Sequence, residues 1–268
     1  MSVHEYVHGF TERESRRLLD QATTLVEILH SDTAYPTGSS VLEAGCGIGA
    51  QTLTLARNSP GARIVSIDFA EASLDAARKL TASEGLQNIT FQRADIFDLP
   101  FPRESFDHVF VCFVLEHLRN PIEALSSLRA ILKKGGSITV IEGDHGSSYF
   151  HPDSPDALRT VQCLIDLQAR FGGNALIGRQ LYPLMIEAGF NSVRVSPRMV
   201  YVDGGRPELV EGFTKQTFIA MVEGIRQQAL DFGLIDPETW EKGVQDLYRT
   251  TNPDGIFCYT FFKGLAIK

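Results

Sequence analysis

Apolar positions recur along this chain in two rhythms. Leu18, Leu19, Ala22, Leu25, Val26 and Leu29 stand at mixed three- and four-residue spacings, the stripe of an amphipathic helix over residues 11–30. Thr11 followed by Glu14 supplies a capping-box start. After the turn-forming Tyr35-Pro36-Thr37-Gly38, Val41 and Leu42 run straight into a cluster of glycines, and a helical pattern continues from about Ala50. Arg63 to Ile67 is a second, β-branched strand. Glu71 to Glu84 predicts a helix closed by Gly85, where a left-handed residue is commonly needed. Asn88 to Gln92 supplies a third strand. Phe106 to Phe113 is almost continuously apolar, as a central parallel strand covered on both faces must be. Asn120-Pro121 pairs an N-cap with a first-turn proline and opens a helix to about Leu132. Gly135-Gly136 ends it before a fifth strand, Ser137 to Glu142.

Strands that alternate with helices in this way imply a doubly wound parallel sheet. Beyond Glu142 the regularity lapses. Residues 143–175 suggest loop plus helix, and 176–188 a helix ending at Gly189. Ser192 to Tyr201 is a sixth strand, 206–249 is helical, and Ile256 to Ile267 is a final strand.

Composition narrows the picture. A length of 268 residues suits one large α/β domain, and 43% hydrophobic with 22% charged residues can bury a core without metal or disulfide staples. The net charge is −8 and the basic residues form no dense block, which disfavours a nucleic-acid partner. Cys46, Cys112, Cys163 and Cys258 are widely spaced with no CxxC pair, so no metal site is expected and reduced cytoplasmic thiols are. The N-terminal stretch lacks an apolar signal region, and the apolar run at 109–115 is too short to span a bilayer. A cytoplasmic protein is expected; nothing in the pattern indicates an oligomeric state.

The richest stretch is Val41-Leu42-Glu43-Ala44-Gly45-Cys46-Gly47-Ile48-Gly49, a strand running into a glycine loop and then a helix. Glycines let a backbone turn sharply and approach a ligand where a Cβ would collide. Gly45-x-Gly47-x-x-Ala50, with Asp68 about twenty residues on, also fits the dinucleotide fingerprint, so the loop alone leaves an NAD(P)-dependent oxidoreductase open. Glu43 tilts the choice, because a carboxylate there attracts the cationic end of S-adenosylmethionine and disfavours a pyrophosphate. Asp95, after the third strand, is a second acid placed to accept from an adenine amino group.

With these residues together, the chain resembles the class I S-adenosylmethionine-dependent methyltransferases, especially the ubiquinone/menaquinone-biosynthesis type, best over residues 38–200. The resemblance implies a Rossmann-like seven-stranded sheet, mostly parallel with an antiparallel last strand, carrying helical lid insertions. It implies one domain over 1–268, with an N-terminal helical lid at 1–37, a cofactor half at 38–142 and an acceptor side at 143–268. The cofactor would be S-adenosylmethionine and the product S-adenosylhomocysteine. Glu43, Gly45, Cys46, Gly47 and Gly49 map to the loop that cradles the methionine moiety. Asp68 maps to the ribose acid with Phe69 beside the adenine, and Asp95 and Ile96 map to the adenine ring. Cys112, Phe113 and the residues to His117 are similar to the segment touching the methionine amino group. Leu132-Lys133-Lys134-Gly135-Gly136 resembles the family's LKPGG turn, with Lys134 in place of proline.

Simpler roles stand beside these. Asp68 can be a helix N-cap, Asp95 a solvated loop acid, and Glu43 a partner of its own loop. Cys112 fits a small buried strand residue. His117, Asp144 and His145 lie just past the fourth and fifth strands, at the carboxyl edge where open α/β sheets bind ligands, and are the candidates bordering a small-molecule acceptor. Tyr6, His8 and Phe10 suit either an aromatic lid over a sulfonium or a hydrophobic staple for the first helix. A base is required only for an acceptor that arrives protonated, so the pattern names no catalytic residue. A binding module that senses S-adenosylmethionine without transferring its methyl is the non-enzymatic alternative.

Overall fold

The computed structural model describes residues 12–268, with side chains from residue 17. Seven strands form one sheet: β1 Ser40–Ala44, β2 Arg63–Asp68, β3 Ile89–Arg93, β4 Phe106–Cys112, β5 Leu132–His151, β6 Asn191–Asp203 and β7 Ile256–Ile267. Their order is β3-β2-β1-β4-β5-β7-β6. β1 pairs in parallel with β2 and β4, as do β2 with β3 and β4 with β5, and the last strand is antiparallel. The doubly wound, mostly parallel sheet expected from the pattern is therefore the observed one.

The chain divides into two compact units. One holds Leu29–Glu142, Ile177–Arg198 and Phe262–Lys268. Its core is the central strands, through Leu42, Ala44, Val109, Val111, Ile138 and Val140, packed against Leu125 and Leu128 of the helix Pro121–Ile131. Burial explains why β4 is continuously apolar from Val109 to Cys112. Pro121 stands in the first helical turn as expected, but Asn120 makes no capping bond; its amide reaches Glu123 instead.

The other unit holds, among the described residues, 12–28, Gly143–Leu176 and Met199–Phe261. Its helices Pro155–Arg170 and Pro237–Arg249 cross where Gly243 meets Thr160. Residues Val210–Ile219 form a π-helix rather than the expected α-helix. Its wider turn brings residues five apart onto one face, and Phe213 and Phe218 both pack on Tyr259, at 5.8 and 5.7 Å between ring centroids.

One strand differs from expectation. β5 does not stop at Glu142; it continues through Gly143 and Gly146 to His151, so Asp144 and His145 lie within the strand, not beyond it. Glycine suggests a break when read alone, but at Gly143 it is demanded by packing: a Cβ there would run into the Tyr259 hydroxyl. The Lys133-Lys134-Gly135-Gly136 stretch is an irregularity inside the same strand, where the pairing with β4 shifts register between Phe106 and His108. Among the described residues, no helix is long and apolar enough to cross a membrane.

Candidate functional site

β1 ends in a loop whose three glycines are all left-handed, with φ of +77° at Gly45, +52° at Gly47 and +83° at Gly49. L-residues with a Cβ rarely hold such backbones. The three differ in surroundings. A Cβ on Gly45 would strike the Val114 side chain, and one on Gly49 would come within 3.0 Å of Ala77 Cβ, whereas one on Gly47 would meet nothing within 4 Å. Gly45 and Gly49 are thus shaped by packing, and Gly47 presents a bare backbone face to open space. The loop is pinned from behind, since the Gly45 and Cys46 amides both donate to the Ile67 carbonyl at 2.8 and 2.9 Å. Cys46 is buried beside them, and burial raises its thiol pKa.

Asp68, the last residue of β2, closes the loop from the side. Its Oδ2 accepts from the Gly47 amide at 2.9 Å and its Oδ1 from the Ala70 amide at 3.0 Å. The N-cap of the next helix, Glu71–Ser83, is Ala70 and not Asp68. A carboxylate offers about four lone-pair sites, so Asp68 keeps acceptor capacity for a ligand's hydroxyls. Burial raises its pKa, opposed by the amides of Ala70, Gly47 and Phe69. The next residue, Phe69, is 50% exposed, a large apolar ring turned to solvent.

Glu43 is buried, and its Oε2 accepts from Thr52 Oγ1 at 2.7 Å and Ser66 Oγ at 2.5 Å. It ties β1 to β2 and to the helix Ala50–Asn58 through hydroxyls rather than loop amides. Burial pushes its pKa up to about 7; the two hydroxyls act downward and Asp68 upward. Asp95 is exposed, and its Oδ1 accepts from the Phe97 amide at 2.9 Å in a local turn. Ile96 is half-buried against the core.

At the end of β4, Cys112 is buried and Phe113 is left-handed at φ +58°, with its amide on the Ile141 carbonyl at 2.9 Å. The 3-10 turn Leu115–His117 comes next. The carboxylate that organises this turn is one that sequence reasoning misses: Glu142 Oε1 accepts from the Val114 amide at 3.0 Å and the Leu115 amide at 2.7 Å. A sequence signal does exist, an acid following the β-branched stretch Ile138-Thr139-Val140-Ile141, where a buried charge requires partners. His117 is half-buried, with Nε2 3.5 Å from Glu116 Oε1.

Asp144 and His145 belong to the other unit. Asp144 is buried and accepts from the Gly146 amide at 3.1 Å. His145 Nδ1 lies 2.7 Å from the Tyr259 hydroxyl, and its ring meets Phe218 edge-on. Tyr259 is likewise a residue that the sequence pattern does not single out. Tyr6, His8, Phe10 and the Thr11 capping box lie outside the described residues, and no cluster of three or more metal-ligating side chains occurs among the described ones.

Residues 42–140 match a family model described as a methyltransferase domain. An uncharacterized 37.1 kDa protein carried by a transposon of Streptomyces fradiae is 33% identical over 190 residues, 70% of this chain and 54% of that protein. A demethylmenaquinone methyltransferase of Clavibacter sepedonicus is 35% identical over 105 residues, 39% of this chain and 41% of that one. The chain spans about half the length of the curated relatives it matches. A solved structure of a methyltransferase described as putative, from Bacillus halodurans, superposes with a TM-score of 0.58 at 18% identity, covering 92% of this chain and 98% of that one. At that identity the likeness speaks for the fold.

Proposed function

We propose that this chain, whose residues 42–140 match a methyltransferase-domain model, is a class I S-adenosylmethionine-dependent methyltransferase that transfers the methyl group to a small-molecule acceptor. The observation that carries the reading is Gly47: its open backbone face lies next to Asp68, which retains acceptor capacity, and Phe69, which is exposed. An open backbone face beside a carboxylate and an exposed ring suits a ligand with a ribose and a flat base. In this reading Glu43, Gly45, Cys46, Gly47 and Gly49 form the methionine end, with Glu43 tying the strand that leads into the loop to Thr52 and Ser66. Asp68 takes the ribose hydroxyls, Phe69, Asp95 and Ile96 flank the adenine, and Cys112 and Phe113 stand at the amino end. S-adenosylmethionine supplies an activated methyl on a sulfonium, so the chain's own residues have to align and exclude water; well-aligned pairs reach effective molarities of about 10⁵ to 10⁸ M.

We assign His117, Asp144 and His145 to the acceptor, and choice among acceptors to residues 143–268. The acidic balance, −8 overall, favours a small molecule over a polynucleotide, and a cytoplasmic setting fits the reduced thiols. Calorimetric titration with S-adenosylhomocysteine, NAD and NADP tests the cofactor. Binding of NAD alone would replace the reading with an oxidoreductase. Methyl transfer is then measured across a compound panel headed by demethylmenaquinone, which appears in the name of the Clavibacter relative. Binding without transfer to any member would leave a sensing module. On an accepted compound, His117→Ala, Asp144→Ala and His145→Ala should lower turnover while leaving S-adenosylhomocysteine affinity nearly intact; full activity in all three would refute the assignment.

A further inference from the structure

We propose that Glu142 is a positioning residue for the cofactor loop, acting through the turn after β4; this rests on the reading that Gly45 to Gly49 hold S-adenosylmethionine. The chain of contacts is short. Glu142 Oε1 receives both the Val114 and the Leu115 amide. Those two bonds fix the turn immediately after Phe113, which holds a left-handed backbone that residues with a Cβ disfavour. The turn in turn sets Val114, whose side chain occupies the space a Cβ on Gly45 would need. Val114 therefore backs the first glycine of the loop, and the loop carries the Gly47 amide and its open face. A strained backbone persists only where its surroundings hold it; here the Ile141 carbonyl holds the Phe113 amide, and one carboxyl oxygen of Glu142 holds the two amides that follow.

The other oxygen has no such task. Glu142 Oε2 is buried and has no hydrogen-bond partner. Burial, and secondarily Glu116, push the Glu142 pKa up, opposed by the backbone amides of Leu115, Val114 and Glu116. What the turn uses is an acceptor oxygen at a set reach, 3.0 and 2.7 Å from two consecutive amides.

Reach and charge separate cleanly in two variants. Glu142→Gln keeps the acceptor at the same distance and removes the acid; Glu142→Asp keeps the acid and withdraws it by one methylene. S-adenosylhomocysteine is titrated calorimetrically into the full-length wild type and each variant, with ligand-free thermal unfolding recorded for all. The glutamine variant should bind within about threefold of wild type and the aspartate variant about tenfold or more weakly, tenfold being about 1.4 kcal/mol. Aspartate binding as tightly as wild type, or glutamine losing as much as aspartate, overturns the proposal. If the aspartate variant does not fold, Val114→Ala carries the test, because it leaves Glu142 in place and removes the contact on Gly45: weakened binding supports the proposal and unchanged affinity overturns it. A wild type that does not bind S-adenosylhomocysteine would instead refute the cofactor assignment itself.

Discussion

Replacing Glu43 by glutamine should change how stability depends on pH far more than it changes the fold. In the folded chain Glu43 is enclosed, and its pKa rises from an ordinary 4.5 to about 7 because burial disfavours the charged form. Between those values the unfolded chain has released its proton and the folded chain has not, so unfolding releases a proton and stability falls as pH rises. The stabilising contribution is complete below about pH 4.5 and is lost once pH passes about 7. A shift of this size, at about 1.4 kcal/mol per pH unit, corresponds to roughly 3 kcal/mol. Glu43→Gln cannot ionise, and its carbonyl oxygen can still accept from Thr52 and Ser66.

The comparison that isolates this effect is the difference in unfolding free energy between variant and wild type, measured by urea denaturation from pH 4.5 to 8. Any constant offset reflects the amide nitrogen's new surroundings and drops out. The difference should move in favour of the glutamine variant by about 3 kcal/mol across the range and flatten above pH 7 to 8. Asp68 also titrates at raised pH, but it is present in both proteins and largely cancels. A difference that stays flat would mean that Glu43 ionises normally when folded, and would refute the enclosed, hydroxyl-bound carboxyl.

Other outcomes rest on the same geometry. Asp68→Ala should weaken S-adenosylhomocysteine binding by about 1 to 3 kcal/mol, read by calorimetry, through loss of a charged acceptor; an unchanged affinity in a folded variant would remove Asp68 from the site. Gly47→Ala and Gly45→Ala should part company: both carry the cost of a left-handed backbone, about 1 to 2 kcal/mol, but only Gly45→Ala meets the Val114 side chain. Thermal unfolding should therefore drop more for Gly45→Ala, while Gly47→Ala should lose ligand affinity out of proportion to its stability. Lys263, 1% exposed in β7, donates to the Leu29 carbonyl, to Asp32 and to Thr33. Lys263→Ala should cost about 1 to 3 kcal/mol in chemical denaturation by leaving those acceptors unmatched, since Asp32 retains Arg198.

The sheet is legible in the sequence because its strands announce themselves locally. The second strand, read as Arg63 to Ile67, is Arg63–Asp68, and the fourth, read to Phe113, ends at Cys112 where the backbone turns left-handed. The glycine loop is legible for the same reason: strand, glycines and helix are adjacent in sequence. Features that escape such a reading depend on partners far along the chain. The pattern ends β5 at Glu142 because its regularity lapses there, yet the strand runs on, and its Gly143 answers to Tyr259, more than a hundred residues later. The π-helix at Val210–Ile219 likewise answers to Tyr259, since an α-helical pattern does not say which residues must share a face.

Glu43 and Glu142 sharpen the point. Each is a glutamate within a buried strand, Glu43 next to the end of β1 and Glu142 inside β5, and each is buried in the folded chain with a raised pKa. In sequence they differ chiefly in their neighbours, and the glycines beside Glu43 make it the conspicuous one. The structure assigns them different donors. Glu43 meets hydroxyls of Thr52 and Ser66, which are themselves free to rotate, so its bonds can adjust to either protonation state. Glu142 meets two backbone amides, which are fixed donors, so its position dictates the course of the chain there. An acid that faces rotatable hydroxyls is suited to tying elements together through a change of charge; an acid that faces consecutive amides is suited to holding one backbone conformation. The less conspicuous glutamate is for this reason the stronger determinant of where Val114, and behind it the first glycine of the loop, must lie.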